Sequence, residues 1–211
     1  YKLVGFDASG LELRMLAHYM DDKEYTNEVI NGDIHTANQH LAGLESRDQA
    51  KTFIYALLYG AGDEKLGSVA SAGRAAGKTL RERFMSNLTA YADLKERIVR
   101  ESEQGTIEGL DGRLLHIRSA HSALNTLLQS AGAIVMKKAM CLLEEYAILW
   151  KLDYYFVGNI HDEVQAEVRE DQADKYGRLA VSCLEAAGIE LGLNCKLTGD
   201  YQVGSSWADT H

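Results

Sequence analysis

Apolar and polar positions mark out the elements of this chain. Residues 2–7, KLVGFD, make a short apolar run ending on Asp7 and predict a buried strand. In SGLELRMLAHYM, Leu11, Leu13, Met15, Leu16 and Met20 follow a mainly helical spacing. Ser9 stands as its N-cap, with Glu12 three residues on completing a capping box. Residues 21–46 are polar and predict two short helices broken at Asn31-Gly32, the second opening at Asp33-Ile34-His35-Thr36. A helix over Ser46–Tyr59 follows, with Ser46 as N-cap and Gly60-Ala61-Gly62 as its stop. Residues 63–104, rich in Ala, Arg and Glu, predict three helical pieces marked off by Gly73, Gly77 and Asn87, a small all-helical subdomain.

Further on, Gly109, Gly112 and the alternating Leu115 and Ile117 predict a short hairpin within 106–119. A helix of about 27 residues, from Ser122 to Leu149, carries Asn125 and Gln129 four apart on one face. The alternation of Tyr155 and Val157, then of Val164, Ala166 and Val168, fits two strands joined around His161-Asp162-Glu163. An amphipathic helix over 170–188 and a last strand over 196–203 complete the pattern. The expected fold class is α+β: a small, mainly antiparallel sheet (2–8, 154–160, 163–169, 196–203) backed by helices, with an all-helical subdomain inserted.

Arg47, Lys51, Tyr55 and Tyr59 add chemistry to the helix that holds them. Each four-residue step advances about 40° around a helix, so they form one slanting stripe of two cations and two aromatics. Such a stripe suits a ligand with a polyanionic end and a flat end, as a nucleoside triphosphate has. Read alone, it fits a solvated cationic edge beside core tyrosines as well.

The net charge of −9 argues against a simple nucleic-acid coat, but it is uneven. Residues 1–46 carry −5, residues 47–118 carry +2 and residues 119–211 carry −6. The basic excess thus sits with the stripe, and acidic flanks are expected where divalent metal is gathered. Cys141, Cys183 and Cys195 have no CxxC or zinc-like spacing and read as free thiols. No apolar run reaches the roughly 18 residues needed to span a membrane. The chain opens on Tyr1 and is expected to be a piece of a longer polypeptide.

Asp7 ends one predicted strand and Asp162 sits at a hairpin tip. If those strands are neighbours, the two carboxylates converge and call for a hard divalent cation, Mg²⁺ first and Mn²⁺ second. Two such ions would clamp the attacking and leaving oxygens of a phosphoryl displacement. Taken singly, each aspartate also fits an ordinary turn.

The order of these motifs narrows the field. DASGLELRMLAHYM, NGDIHT, AKTFIYALLYGAGDEK, GLDGR, ALNTLLQSAGA and the His161-Asp162-Glu163 hairpin together resemble the palm and fingers of family A DNA polymerases, the phage-type replicative members above all. The resemblance implies palm at 1–34, fingers at 35–106 and palm again at 107–211. It implies a DNA-directed DNA polymerase core that moves a nucleotide from a dNTP to a primer 3′-OH with two Mg²⁺ ions, Mn²⁺ substituting. Asp7, Asp162 and the Ala8 carbonyl would hold metal. Arg47, Lys51 and His35 would grip the triphosphate, with Lys51 also catalytic. Tyr55 would lie against the deoxyribose, Tyr59 near the template base, and Glu12 would exclude a 2′-hydroxyl. Arg113, Asn125 and Gln129 would read the primer–template, and His161 and Glu163 would flank the primer end. Tyr rather than Phe at position 55 implies acceptance of dideoxynucleotides.

Expected partners are primer–template DNA, dNTPs and an upstream thumb and exonuclease region of the same polypeptide. A processivity factor is a further candidate partner, and a membrane is not expected. The expected location is the cytoplasm, that of the host cell if the gene belongs to a phage. Without the upstream region the chain is expected to be feeble or inactive. Two other readings stand beside this one. A non-catalytic nucleotide-binding or nucleic-acid-binding remnant is opposed by the presence of Asp7, Asp162 and Lys51. A single-subunit RNA polymerase is opposed by Glu12 and Glu163.

Overall fold

The computed structural model describes residues 1–211. In chain order the elements are β1 (Lys2–Ala8), α1 (Leu11–Met20), α2 (Lys23–Asn31), α3 (Ile34–Ala42), α4 (Arg47–Leu58), α5 (Asp63–Val69), α6 (Arg74–Asn87) and α7 (Thr89–Ser102). There follow β2 (Thr106–Glu108), β3 (Leu114–His116), α8 (Ala123–Leu149), β4 (Tyr154–Ile160), β5 (Glu163–Val168), α9 (Ala173–Glu190) and β6 (Gly199–Gly204). The chain forms two compact units, Tyr1–Met15 with Ser130–His211, and Leu16–Gln129. Both division points fall inside helices, in α1 and in α8.

The first unit is built on a four-stranded antiparallel sheet in the order β4-β5-β1-β6. Side chains alternate across β1, so Val4, Phe6 and Ala8 are buried while Asp7 is exposed. Val4 and Phe6 stand opposite Ala166 and Val164 on β5, which makes one apolar face. α9 packs on it through Tyr176, Ala180, Cys183 and Leu184, all at most 2% exposed. The later part of α8 reaches β4 through Met140, whose sulfur accepts from Asn159 at 3.4 Å, and Glu144, which accepts from the Tyr154 hydroxyl. Tyr155 and Val157, two of the alternating residues that predict the β4 strand, lie on the outer side, 61% and 54% exposed.

The second unit is helical apart from the β2–β3 hairpin. α4 has the predicted start: Ser46 accepts from the Gln49 N–H, and Gln49 accepts from the Ser46 N–H in return. Its inner face is Ala50, Phe53, Ile54, Leu57 and Leu58, all buried. Phe53 meets Phe84 edge-on at 5.7 Å, and Phe84 meets Tyr91 at 5.4 Å. Burying each such ring contributes about 2–3 kcal/mol, enough to seat a helix whose outer face is charged.

Four expectations are corrected. Gly77 does not divide helices but lies inside α6, where a Cβ would come within 1.8 Å of the Asp63 carbonyl oxygen. Its missing side chain lets α6 press against α5. Ser9 is not the N-cap: α1 starts at Leu11, so the residue directly before the helix is Gly10, left-handed at φ +59°, whose carbonyl accepts from the Arg14 N–H at 3.1 Å. The last strand starts at Gly199 rather than 196. Finally, residues 120–149 are long and apolar enough to cross a membrane by length and composition, although half of the most apolar window is buried in the protein.

Candidate active site

Three strands bring carboxylates to one edge of the sheet in the first unit. Asp7 stands directly opposite Glu163 on β5 and Asp200 on β6. Opposed residues of antiparallel strands share a face, so the three carboxylates form a row. Asp162 joins them through the tight β4–β5 turn, in which His161 takes a left-handed φ of +57°. The Ala8 N–H donates to the Asp162 carbonyl at 3.0 Å, tying that turn to the end of β1.

The electrostatics follow from this crowding. Partial desolvation at the crowded sheet end pushes the Asp7 carboxyl above its ordinary value although the residue still reaches solvent, and Asp162, Asp200 and Glu163 push it further the same way. Glu163 behaves differently. Burial pushes it up, but donors on Gln165, His211 and Trp207 outweigh burial and hold it below the usual range. Arg14, 7% exposed, stiffens the neighbourhood. It donates to the Ser9 carbonyl at 2.7 Å, to the Lys196 carbonyl and to the Thr198 hydroxyl at 2.9 Å. The Ser9 hydroxyl donates to Asp200 at 3.4 Å. Glu12 is half-buried in the first turn of α1.

The second unit carries the stripe as its period dictates. Arg47, Lys51 and Tyr59 are exposed and Tyr55 is half-buried on the outer side of α4. His35 on α3 joins them, its ring 6.2 Å from that of Tyr55. Burial lowers the His35 pKa, and the cations of Arg47 and Lys51 lower it further, which places all three in one electrostatic neighbourhood. The His35 Nδ1 is buried without a hydrogen-bond partner. Arg47 is already paired: its Nε donates to Asp33 at 2.7 Å. That hydrogen bond holds the Asp33 carboxyl well below its ordinary value. Asp33 also caps α3, accepting from the N–H groups of His35 and Thr36.

Asn125 and Gln129 are half-buried one turn apart on α8, and Gln129 donates to the Tyr59 hydroxyl at 3.2 Å. Arg113 lies in the β2–β3 hairpin and forks onto Asp111, with Nη2 at 2.6 Å.

Residues 1–209 match the model of DNA polymerase family A. The chain belongs to that family. It is 43% identical to the DNA-directed DNA polymerases of Enterobacteria phage T3 and Escherichia phage T7, the alignment covering 98% of this chain and 33% of each relative. It is 39% identical to the enzyme of Escherichia phage Phieco32, over 99% of this chain and 40% of that one. The chain therefore spans about a third of the length of the first curated relatives it matches. The POL domain of Pol1 from M. smegmatis, solved in complex with DNA primer-template and dNTP, shares the fold at a TM-score of 0.87 and 21% identity, over 98% of this chain and 40% of that one.

The family A fold thus brings together Asp7, Asp162 and Glu163 in one unit, and His35, Arg47, Lys51 and Tyr55 in the other. Sequence reasoning missed Asp200, Arg14, Gln165, Trp207 and His211. Asp200 enters by strand register alone, for which the sequence has no local signal. Trp207 and His211, two residues able to donate from rings just beyond the last strand, were a signal that could have been read.

Proposed function

We propose that this chain carries the nucleotidyl-transfer site of a DNA-directed DNA polymerase. The observation that carries the reading is the convergence of Asp7 and Asp162 on one sheet edge, in a chain matched along nearly its whole length by family A. The DNA primer-template and dNTP of the similarly folded POL domain support the same ligands here.

Family A polymerases generally use a divalent metal, and the residues fit one. Carboxylates that raise one another's proton affinity are relieved by a hard cation between them. No group of three or more His, Cys, Asp or Glu side chains is arranged to hold an ion unaided. A Mg²⁺ ion held by few protein ligands and completed by substrate phosphate oxygens matches that donor set. Asp7 and Asp162, with the Ala8 carbonyl, would hold two Mg²⁺ ions, or Mn²⁺ in their place. When bound, these ions supply Lewis-acid stabilisation to the attacking and leaving oxygens.

The remaining work belongs to the chain. The primer 3′-oxygen forms a bond to the α-phosphorus, the bond from that phosphorus to the bridging oxygen breaks, and pyrophosphate leaves. Arg47, Lys51 and the unpartnered Nδ1 side of His35 bind and orient the triphosphate. Lys51 carries a proton to the pyrophosphate. Tyr55 orients the deoxyribose, Glu12 excludes a 2′-hydroxyl, and Tyr59 stands on the template side. Gln129, Asn125 and Arg113 follow the primer–template, and His161 flanks the primer end. Arg47 must exchange Asp33 for phosphate, so the guanidinium that now bonds a carboxylate through Nε becomes the one that grips the nucleotide.

Primer extension tests this reading in a longer polypeptide that extends this chain toward the length of its relatives. Incorporation that needs Mg²⁺ and vanishes in Asp7→Asn supports it. Equal incorporation by wild type and Asp7→Asn refutes it.

A further inference from the structure

Residues 205–211, SSWADTH, fold back after β6 onto the sheet face that carries Asp7. The turn is self-contained. Asp209 accepts from the Ser205 N–H at 2.9 Å and from the Ser206 N–H and hydroxyl at 3.0 Å each. Three side chains reach from it to the sheet. Trp207 Nε1 donates to Glu163 Oε1 at 2.8 Å, and His211 Nδ1 lies 2.7 Å from Glu163 Oε2. The Thr210 hydroxyl donates to Gln165 Oε1 at 2.9 Å, and Gln165 Nε2 in turn donates to Glu163 Oε1 at 2.5 Å. Glu163, Gln165 and Thr210 are 9%, 4% and 6% exposed.

Two consequences follow. A carboxylate removed from water is tolerated only where donors replace the water, and both Glu163 oxygens have theirs. Those donors are supplied mainly by the 205–211 segment. Gly5 shows the segment's place independently. It stands opposite Gln165 on β1, and a Cβ there would come within 2.7 Å of the Thr210 carbonyl oxygen and 2.3 Å of Gln165 Nε2. Gly5 leaves room for the segment to lie on the strand, two residues from Asp7.

We propose that Glu163 is a positioning residue: it holds residues 205–211 over the sheet face that carries Asp7, and it serves the reaction through that segment rather than as a ligand to metal. The proposal rests on the polymerase reading for its effect on turnover, and on geometry alone for the docking. It explains why a carboxylate beside Asp7 is turned toward Trp207, His211 and Gln165.

The test compares Glu163→Ala, Glu163→Gln, Gly5→Ala and the Glu163→Ala/Gly5→Ala pair in the longer polypeptide. Docking is read from Trp207 fluorescence in a Trp150→Phe background and from protease nicking within 205–211. Turnover is read as single-nucleotide incorporation across a Mg²⁺ titration. Trp207 is half exposed while docked, so Glu163→Ala and Gly5→Ala should each raise its quenching by acrylamide further, speed nicking and slow turnover by about tenfold to a hundredfold, with the Mg²⁺ midpoint unchanged. The pair should be no worse than the worse single variant. Glu163→Gln keeps an acceptor for Trp207 and Gln165 and should retain more of both properties.

A shifted Mg²⁺ midpoint with the segment still docked would overturn the proposal. So would additive losses, or a Gly5→Ala protein that releases the segment yet turns over normally. Should Gly5→Ala fail to fold, Trp207→Phe, which deletes one donor at the surface, replaces it with nicking as the docking readout. If wild type incorporates nothing while the docking results hold, the polymerase reading has failed and the anchoring by Glu163 stands.

Discussion

Asp7, Asp162 and Asp200 come from three distant segments and meet because β1 is hydrogen-bonded to β5 and β6 in one particular register. Arg47, Lys51 and Tyr55 come from one helix, with Tyr59 as its C-cap, and follow one another along its outer side because of its period. The carboxylate row carries charge of one sign, and partial desolvation and its neighbours hold Asp7 toward its protonated form. The stripe is already compensated, since Arg47 is paired with Asp33. One cluster thus carries uncompensated negative charge, while the other already holds its cation Arg47 against an acidic partner. Removing a member from the first should end the chemistry, whereas removing one from the second should weaken it.

The largest effect expected is that of Asp7→Asn or Asp162→Asn. Each should lower single-turnover incorporation by at least about a thousandfold, because several kcal/mol of charge stabilisation is lost. Primer–template binding measured by anisotropy should change little. If both variants lose DNA binding in step with activity, the row is a structural feature of the duplex site instead.

Lys51→Ala and Arg47→Ala come next, at about tenfold to a hundredfold each, the range of one charge-assisted hydrogen bond. Lys51→Ala should act mainly on kcat and Arg47→Ala mainly on KM for the dNTP. Asp33→Asn sharpens the contrast. It frees Arg47 and weakens the cap of α3 together, so a lower KM with reduced stability is the expected signature. An unchanged KM would show that the Asp33 pair does not compete with the nucleotide.

A pH series separates the two clusters by sign. Asp7 keeps its proton to a higher pH in the folded chain than its ordinary 3.8 in the unfolded one. The folded state therefore binds more protons in that window, and the stability tied to Asp7 is lost as pH rises through it. Asp33 is held low by Arg47 and runs the other way, its contribution fading as pH falls toward its depressed value. Urea unfolding with EDTA should show the Asp7 slope as a difference between wild type and Asp7→Asn. That difference should shrink when Mg²⁺ is added.

The same contrast explains what could be read in advance. The α4 stripe, its Ser46 start and the long α8 follow from local period and capping, which a linear sequence displays. The pairing of Asp7 with the Asp162 hairpin was legible only because both motifs resemble a known family. Asp200 and the 205–211 segment were not legible, because register and a returning chain leave no local pattern. Gly5 carried a hint, since glycine in a buried strand marks a close approach by another backbone. Gly77 misled for the same reason: it reads as a helix end, while its cause is the Asp63 carbonyl pressed against it from α5.

The smallest effect tests the local half of the comparison. Ser46→Ala removes one side of a reciprocal cap, in which the Ser46 hydroxyl accepts from the Gln49 N–H at 3.2 Å and the Gln49 side chain accepts from the Ser46 N–H at 3.3 Å. Such a loss costs about 1 kcal/mol, to be read as a shift in the urea midpoint. Arg47 is the first residue of the helix that this cap starts, so fraying there should loosen the first cation of the stripe before the second. KM for the dNTP should rise by less than in Arg47→Ala, with kcat, the expected province of Lys51 one turn inward, held. The buried face from Ala50 to Leu58 lies beyond the frayed turn and should keep the rest of α4 in place. A fall in kcat as large as that of Lys51→Ala would mean that α4 moves as one rigid rod, and that its orientation is set at the cap rather than by its packing.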